Sequence, residues 1–261
     1  MRLYHSTLLL FIIPMLVFAQ GKNVPGYMGK RFNLQYQMFL WPSFNNPNNS
    51  EAAVGSDGYT DVSTSLNMQH HIVGGFSITK QIDLIADVSF ANTNFDPYYN
   101  LYELDPSNLK YPGMSAMGGA VGIRIYAHHF APLGSHITFK VGYTHLQIES
   151  LSYTLRADDF NPAESYTIEG GTKGAPTITT GFGNNRIIAD RIVVNYGIDF
   201  TFFAGGVRNW KAFFMDEPAG DYIYYRDGNS MSNQTAYLKK ASARYAMHCA
   251  VNLKLGIGLL L

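Results

Sequence analysis

Apolar and polar residues alternate along most of this chain with a period of two. From Arg31 to Trp41, the apolar side holds Phe32, Leu34, Tyr36, Met38 and Leu40. Successive side chains of a β-strand point to opposite faces, so this period predicts a strand with one apolar face. The alternation recurs in later segments, and the last one runs from Val251 to Leu261. The pattern predicts eight strands and no helical period longer than about two turns.

The connections between the predicted strands alternate in length. The short turns are Thr79–Gln81, Ala131–Gly134 and Ala189–Arg191. The long connections are 43–63, 91–116, 150–176 and 206–240. Soluble domains use short connections throughout, whereas outer-membrane barrels combine short periplasmic turns, long extracellular loops and an even strand number. The chain is therefore predicted to be all-β, an eight-stranded antiparallel up-and-down transmembrane β-barrel with four long extracellular loops.

Periodicity alone leaves open which face points inward. In a soluble lipocalin-like barrel or sandwich the apolar faces would form the core, whereas in a membrane barrel they meet lipid. The apolar rows hold about five residues each, which matches a lipid band of ~25 Å. A single cysteine, Cys249, provides no disulfide framework for a secreted fold. These features favour the membrane arrangement.

The polar faces carry charges of both signs, which we expect to form a charge network in the lumen. Its residues are Asp83, Asp87, Arg124, Lys140, Asp199 and Lys254, with Arg244 as a further base. Since buried ions must be paired, we expect Asp83 and Asp87 to pair with Arg124, and Lys254 with Asp199. Such a network would close and stiffen the barrel. The alternative is a pathway for protons or small solutes.

Composition excludes several classes of protein. The chain has 261 residues, 46% of them hydrophobic and 14% aromatic, which does not suit a disordered chain. The chain has 19 Lys and Arg residues and 19 Asp and Glu residues, so it has no excess of positive charge that would attract nucleic acid. Mean hydropathy is −0.07. Outside the first twenty residues, no apolar run approaches the ~20 residues of a membrane-spanning helix.

The N-terminal segment has the features of an export signal. Arg2 and His5 precede an apolar stretch, and Val17-Phe18-Ala19 occupies the positions that a signal peptidase reads. We predict a signal peptide over residues 1–19 and the barrel over 20–261. A short N-terminal membrane anchor is the alternative, although about eleven apolar residues are too few to span a bilayer.

Four segments of the chain follow the pattern of a known family, namely Val17-Phe18-Ala19-Gln20, Arg31–Gln37, Ala131-Pro132-Leu133-Gly134 and Ala189–Val193. In these segments the chain resembles the small outer-membrane β-barrel proteins of Bacteroidota. The resemblance implies a Gram-negative outer membrane as the location. Its implied partners are outer-membrane lipid and lipopolysaccharide, the barrel-assembly machinery during insertion, and other envelope proteins. The final Leu261 departs from the aromatic terminus that many such proteins carry.

No catalytic, metal or cofactor site is predicted. The histidines are scattered over several strands, and the two members of each His-His pair point to opposite faces, so they cannot chelate one ion. The loops carry acidic residues without a nearby histidine base, which argues against an enzyme. The candidate loop interaction surface is aromatic: Tyr98, Tyr99, Tyr102, Trp210, Phe213, Phe214, Tyr222, Tyr224 and Tyr225. Packing of the loop aromatics on one another, including Tyr111, Tyr153 and Tyr166, is the alternative.

Together these features predict an integral outer-membrane barrel with a closed, salt-bridged lumen. Its long external loops would make it a binding, adhesion or complex-scaffolding module. The alternative is a narrow pore for ions or small solutes, and the third hypothesis is a lipid-modifying enzyme of the envelope.

Overall fold

The computed structural model describes residues 26–43, 65–95, 110–127, 131–155, 162–204 and 231–261. Its elements, in chain order, are β1 (Phe32–Ser43), β2 (Ser65–Ser77), β3 (Ile82–Asn94), β4 (Gly113–Tyr126), β5 (Gly134–Ile148), β6 (Leu151–Leu155), β7 (Glu164–Ile168), β8 (Gly171–Ile188), β9 (Ile192–Phe203), α1 (Met231–His248) and β10 (Val251–Leu260).

Eight of these strands form a closed antiparallel barrel. Its order is β1-β10-β9-β8-β5-β4-β3-β2, so each strand pairs with its neighbours along the chain once the β6–β7 hairpin is set aside. β1 and β10 close the ring, and Phe32 and Leu261 exchange both backbone hydrogen bonds at its end. The predicted fold, an eight-stranded up-and-down barrel, is confirmed.

The faces of the strands are arranged as in a transmembrane barrel, with polar residues inside and apolar residues outside. In β3, Asp83, Asp87 and Ser89 are buried, whereas Val88 and Phe90, which alternate with them, are exposed. The alternation of residues in β8 does not by itself show which face points inward, and the structure assigns it. Thr177 and Thr179 of β8 point inward and Ile178 and Phe182 outward. The exterior is therefore a continuous apolar surface around a polar lumen.

Two short turns show why the hairpins reverse where they do. The Thr79 hydroxyl accepts hydrogen bonds from the backbone N–H groups of Gln81 (3.1 Å) and Ile82 (3.0 Å), which closes the β2–β3 turn. Between β8 and β9, Ala189 and Asp190 have φ of 50° and 58°. Two left-handed residues in succession make the type I′ turn, whose twist matches that of the flanking strands.

The prediction that no long helix interrupts the strands is wrong. α1 is an 18-residue helix that leads directly into β10, and Arg244 and His248 lie on it rather than on a strand. Its buried stripe is Tyr237, Ala241 and Tyr245, spaced four residues apart. Alanine and tyrosine are only weakly apolar, so the helical period of this stripe does not stand out in the sequence. Within the described residues, no helix is both long enough and apolar enough to cross a membrane.

The third long connection also contains structure that the sequence did not predict. β6 and β7 form a separate two-stranded hairpin that pairs Tyr153 with Tyr166. One side of it packs on the barrel rim through Leu151, Tyr153 and Ile168. The other side presents Ser152 and Thr167 to solvent.

Candidate functional site

The six charged residues predicted for the lumen are all buried inside the barrel. They are Asp83, Asp87, Arg124, Lys140, Asp199 and Lys254, each at most 5% exposed. Among the described residues these are all the buried Asp, Glu, Lys and Arg side chains. Three carboxylates therefore face three basic groups, and the formal charges cancel.

Four of these residues form an ion cluster that crosses the lumen: Asp87, Lys140, Asp199 and Lys254. The Lys140 ammonium lies 2.7 Å from the Asp87 carboxylate and 3.5 Å from that of Asp199. Lys254 lies 2.6 Å from the other Asp199 oxygen. The chain of contacts joins β3, β5, β9 and β10, so it ties together strands that are not all neighbours in the barrel.

His71 extends the ion cluster to β2. Its Nδ1 lies 2.8 Å from the second oxygen of Asp87. The ring also stacks on Phe39, with 3.8 Å between centroids. From the sequence, His71 was interpreted as one of several scattered histidines. The register of the β2–β3 hairpin could have predicted its contact with Asp87, because His71 pairs with Ser89 and so lies diagonal to Asp87 across the ladder.

The expected pairing of Asp87 with Arg124 is wrong. Arg124 lies directly opposite Asp83 in the β3–β4 ladder. Asp87 is four residues further along β3, which is about 13 Å of strand. Asp83 and Arg124 are joined through Tyr126, whose hydroxyl donates to the Asp83 carboxylate (3.0 Å) and accepts from Arg124 (3.4 Å). The expected pair of Lys254 and Asp199 is present.

Amide and hydroxyl groups fill the rest of the lumen toward the short turns. Gln37 donates to Gln35 (2.7 Å), and Gln35 donates to Asn33 (2.9 Å) along β1. Asn185 donates to the Tyr126 hydroxyl and to the carbonyl of Pro132. Glycine provides room for these groups. A Cβ at Gly181 would collide with the Asp199 carboxylate, which is why this inward position of β8 carries no side chain.

The mouth of the barrel on the side of the long connections is covered by α1. Tyr237 contacts Phe95 (5.5 Å between centroids) and donates a 2.7 Å hydrogen bond to the carbonyl of Glu149. Tyr245 meets Trp41 edge to face at 6.5 Å. These side chains belong to a buried mouth cluster that also includes Tyr111, Met114, Leu146, Ile148 and Tyr153. The helix therefore packs against residues of the barrel strands at this end through apolar contacts.

A small cavity remains between the mouth cluster and the ion cluster. Its volume is about 40 Å³, and its walls include His71, Lys140, Thr179 and Cys249. A cavity of this size holds only a few water molecules. Burial raises the pKa of the Cys249 thiol to about 12, so the group stays protonated at neutral pH. The described residues contain no group of three or more His, Cys, Asp and Glu side chains placed to share a metal ion.

The candidate loop interaction surface lies outside the described residues. This holds for Tyr98, Tyr99, Tyr102, Trp210, Phe213, Phe214, Tyr222, Tyr224 and Tyr225. The loop tyrosines that are described pack inward, since Tyr111 is 3% and Tyr153 2% exposed. Tyr153 also stacks on Tyr166 at 5.7 Å. For these residues the self-packing alternative applies.

Comparisons with known proteins find similarity to this chain in fold alone. No protein-family model matches it, and no curated protein matches it. The solved structures that are similar to it include the following three. Ail, the attachment invasion locus protein of Yersinia pestis, shares 10% identity at a TM-score of 0.39, over 89% of this chain and 99% of that one. Neisserial surface protein A (NspA) shares 7% at 0.38, over 88% and 97%. The outer membrane protein OprG from Pseudomonas aeruginosa shares 5% at 0.36, over 92% and 96%. The function is therefore argued from the chain's own residues.

Proposed function

We propose that this chain is an integral outer-membrane protein whose closed barrel serves as a platform for binding at the cell surface. The observation that carries the proposal is the charge-balanced lumen, in which Lys140 and Lys254 are paired with Asp87 and Asp199 across the barrel. Buried ions that satisfy one another stiffen a structure and leave no free charge to attract a permeating ion.

The outer face of the barrel supports a membrane location. Large apolar side chains are exposed on every barrel strand, among them Leu34, Ile72, Val121, Ile178 and Ile257. An exposed apolar surface that encircles a protein is costly in water and favourable in lipid. A signal peptide over residues 1–19 and contact with outer-membrane lipid, lipopolysaccharide and the barrel-assembly machinery are parts of this proposal. A relationship to the barrels of Bacteroidota stays a prediction.

The long-connection end of the barrel supports a binding role. α1 and the β6–β7 hairpin pack on the rim and so provide a rigid base at this end of the barrel. Binding residues are commonly presented on loops held by a rigid scaffold. The aromatic residues proposed for contact, such as Trp210, Phe213 and Phe214, belong to the connection that precedes α1. The proposed role is adhesion or scaffolding of envelope complexes, without catalysis.

A binding role predicts that partners depend on the loop aromatics. Replacing Trp210, Phe213 and Phe214 with Ala should reduce recovery of cross-linked envelope proteins on purification from native membranes about tenfold, since two or three aromatic anchors carry ~1–2 kcal/mol or more of an interface. Quantitative mass spectrometry measures the loss. The control is Thr201→Ser, which keeps the lumenal hydroxyl that meets Thr179. Equal recovery from the loop variant and the control would contradict a binding role for this loop.

A closed lumen predicts the absence of conductance. Purified protein in a planar bilayer should show no steady open level, because the ion cluster and α1 both obstruct the path. The measurement is single-channel current under applied voltage of either sign. Steady openings that scale with salt concentration would refute the closed lumen and favour the narrow pore.

A further inference from the structure

Arg186 is a basic residue on the outer face of the barrel. It lies in β8, it is exposed, and its outward neighbours along the strand are Asn184 and Ile188. Across the β8–β9 ladder it pairs with Val194. Within the described part of the chain, the Arg186 guanidinium has no ion pair and no hydrogen bond. A charged group therefore stands on the apolar exterior without a counter-ion from these residues.

Two hydroxyl groups flank Arg186 on the same face. Ser135 of β5 and Tyr196 of β9 both pair with Asn184, from opposite sides. Each of them therefore lies diagonal to Arg186, at a Cα separation of ~7–8 Å that long side chains can bridge. The Ser135 hydroxyl accepts a 2.9 Å hydrogen bond from Asn184, which leaves its own hydrogen to be donated elsewhere. The patch thus combines one cation with two O–H donors.

The barrel strands offer no carboxylate that could pair with Arg186. Their acidic residues are Asp83, Asp87 and Asp199, which are all buried in the lumen. A second copy of the chain packed on this face would therefore bring no carboxylate from its own barrel strands. Asp190 of the adjacent turn accepts a 3.3 Å hydrogen bond from the Tyr27 hydroxyl instead. The anion that suits this patch is one from outside the barrel.

The place of Arg186 along its strand indicates which anion is within reach. The β8–β9 turn begins three residues further on, about 10 Å along the strand, and its residues Asp190 and Arg191 are exposed. Ile188 is the outward residue between Arg186 and that turn. An arginine carries its charge at the end of a flexible apolar stem, so it can cover such a residue and still bring the guanidinium to the polar boundary of a bilayer. From the lipid side, the anions at that boundary are phosphate groups.

We propose that Arg186, Ser135 and Tyr196 form a binding site for the phosphate group of a phospholipid in the leaflet on the short-turn side. The guanidinium donates two parallel N–H groups to phosphate oxygens, the geometry in which arginine binds phosphate most strongly. The hydroxyls of Ser135 and Tyr196 donate to the remaining oxygens. An anionic phospholipid is preferred, because a zwitterionic one carries its own cation. The site rests on the proposed membrane location, which it deepens by naming one lipid group and the residues that hold it.

The experiment measures lipid selectivity in phosphatidylcholine vesicles that contain a minor share of phosphatidylglycerol with the same acyl chains. Lipids that the protein retains through mild detergent extraction are counted by mass spectrometry. Wild type is expected to retain phosphatidylglycerol about fivefold above its share of the bilayer, the ratio that corresponds to ~1 kcal/mol for a basic residue near anionic lipid. Arg186→Gln should lose most of this enrichment. Tyr196→Phe should lower it by about half, since one hydrogen bond is lost.

Two control variants separate a site from general attraction to positive charge. Lys173→Gln removes an exposed charge from the same strand at the other end of the barrel, and Arg191→Gln removes one from the adjacent turn. Both should keep most of the enrichment. An equal loss in Arg191→Gln and Arg186→Gln would mean diffuse attraction to this end and would overturn the site. Displacement of the lipid by added inorganic phosphate would assign the patch to a free anion, which also overturns the lipid site.

The remaining outcomes separate this site from the function on which it rests. Wild type that fails to insert into the vesicles would refute both the membrane location and the site. Insertion without enrichment of phosphatidylglycerol, or with equal enrichment in wild type and Arg186→Gln, would refute the site alone.

Discussion

Replacing Lys140 with methionine is expected to lower the free energy of unfolding of the barrel by about 3–5 kcal/mol. Lys140 is 5% exposed and contacts the carboxylates of both Asp87 and Asp199. Methionine has a similar length and fills the space, so the loss comes from charge rather than from packing. The variant leaves three buried carboxylates against two basic groups, and the low dielectric of the lumen strengthens their repulsion.

A charge-balanced double variant tests this account. Adding Asp87→Asn to Lys140→Met restores two carboxylates against two bases, and we expect it to recover more than half of the loss. Unfolding by urea, followed through heat-modifiable mobility on gels, measures both variants. The matched control is Lys173→Met on β8, whose side chain is exposed and should change stability by less than ~0.5 kcal/mol. A double variant as unstable as the sum of its single variants would mean that charge compensation is not what holds the lumen.

Replacing Ile198 with arginine is expected to cost about 2–4 kcal/mol, provided that the barrel spans a bilayer. Ile198 is 39% exposed and lies on the outer face of β9, between the outward Tyr196 and Phe202. At this depth an arginine side chain cannot reach water without distorting the lipid. In a soluble barrel the same exposed position would accept arginine at little cost.

The measurement is the stability of the barrel refolded into lipid vesicles, with the fraction folded read from the gel shift. Ile198→Leu is the control, because it keeps apolar character and volume. Thr201→Ser should also be nearly silent, since serine retains the hydroxyl that meets Thr179. Equal stability of Ile198→Arg and Ile198→Leu in vesicles would show that this face does not meet lipid.

Much of the barrel could be predicted from the sequence because the alternation of residues along a strand shows which side chains share a face. The period of two in Phe32 to Leu40 or Val251 to Leu259 is imposed by the backbone geometry of each strand. The short turns at Thr79–Gln81 and Ala189–Arg191 were found because they interrupt that period. Closure of the ring follows from the even strand number and the alternation of connection lengths. The inward positions of Asp83, Asp87 and Asp199 follow from the same parity.

The pair of Lys254 and Asp199 on adjacent strands was predicted from the sequence, but only the tertiary structure decided which inward groups of non-adjacent strands meet. A ladder argument reaches only the adjacent strand, so it placed Asp87 with Arg124, whereas the curvature of the closed barrel brings Lys140 of β5 to Asp87 of β3 and Asp199 of β9. α1 is the second such case. Tyr237, Ala241 and Tyr245 form too weak an apolar stripe to predict a helix, and they become buried because the barrel mouth offers Trp41 and Phe95 as a surface to cover. Strand period and parity are local properties of a chain, but a contact across a lumen or over its mouth exists only after the ring has closed.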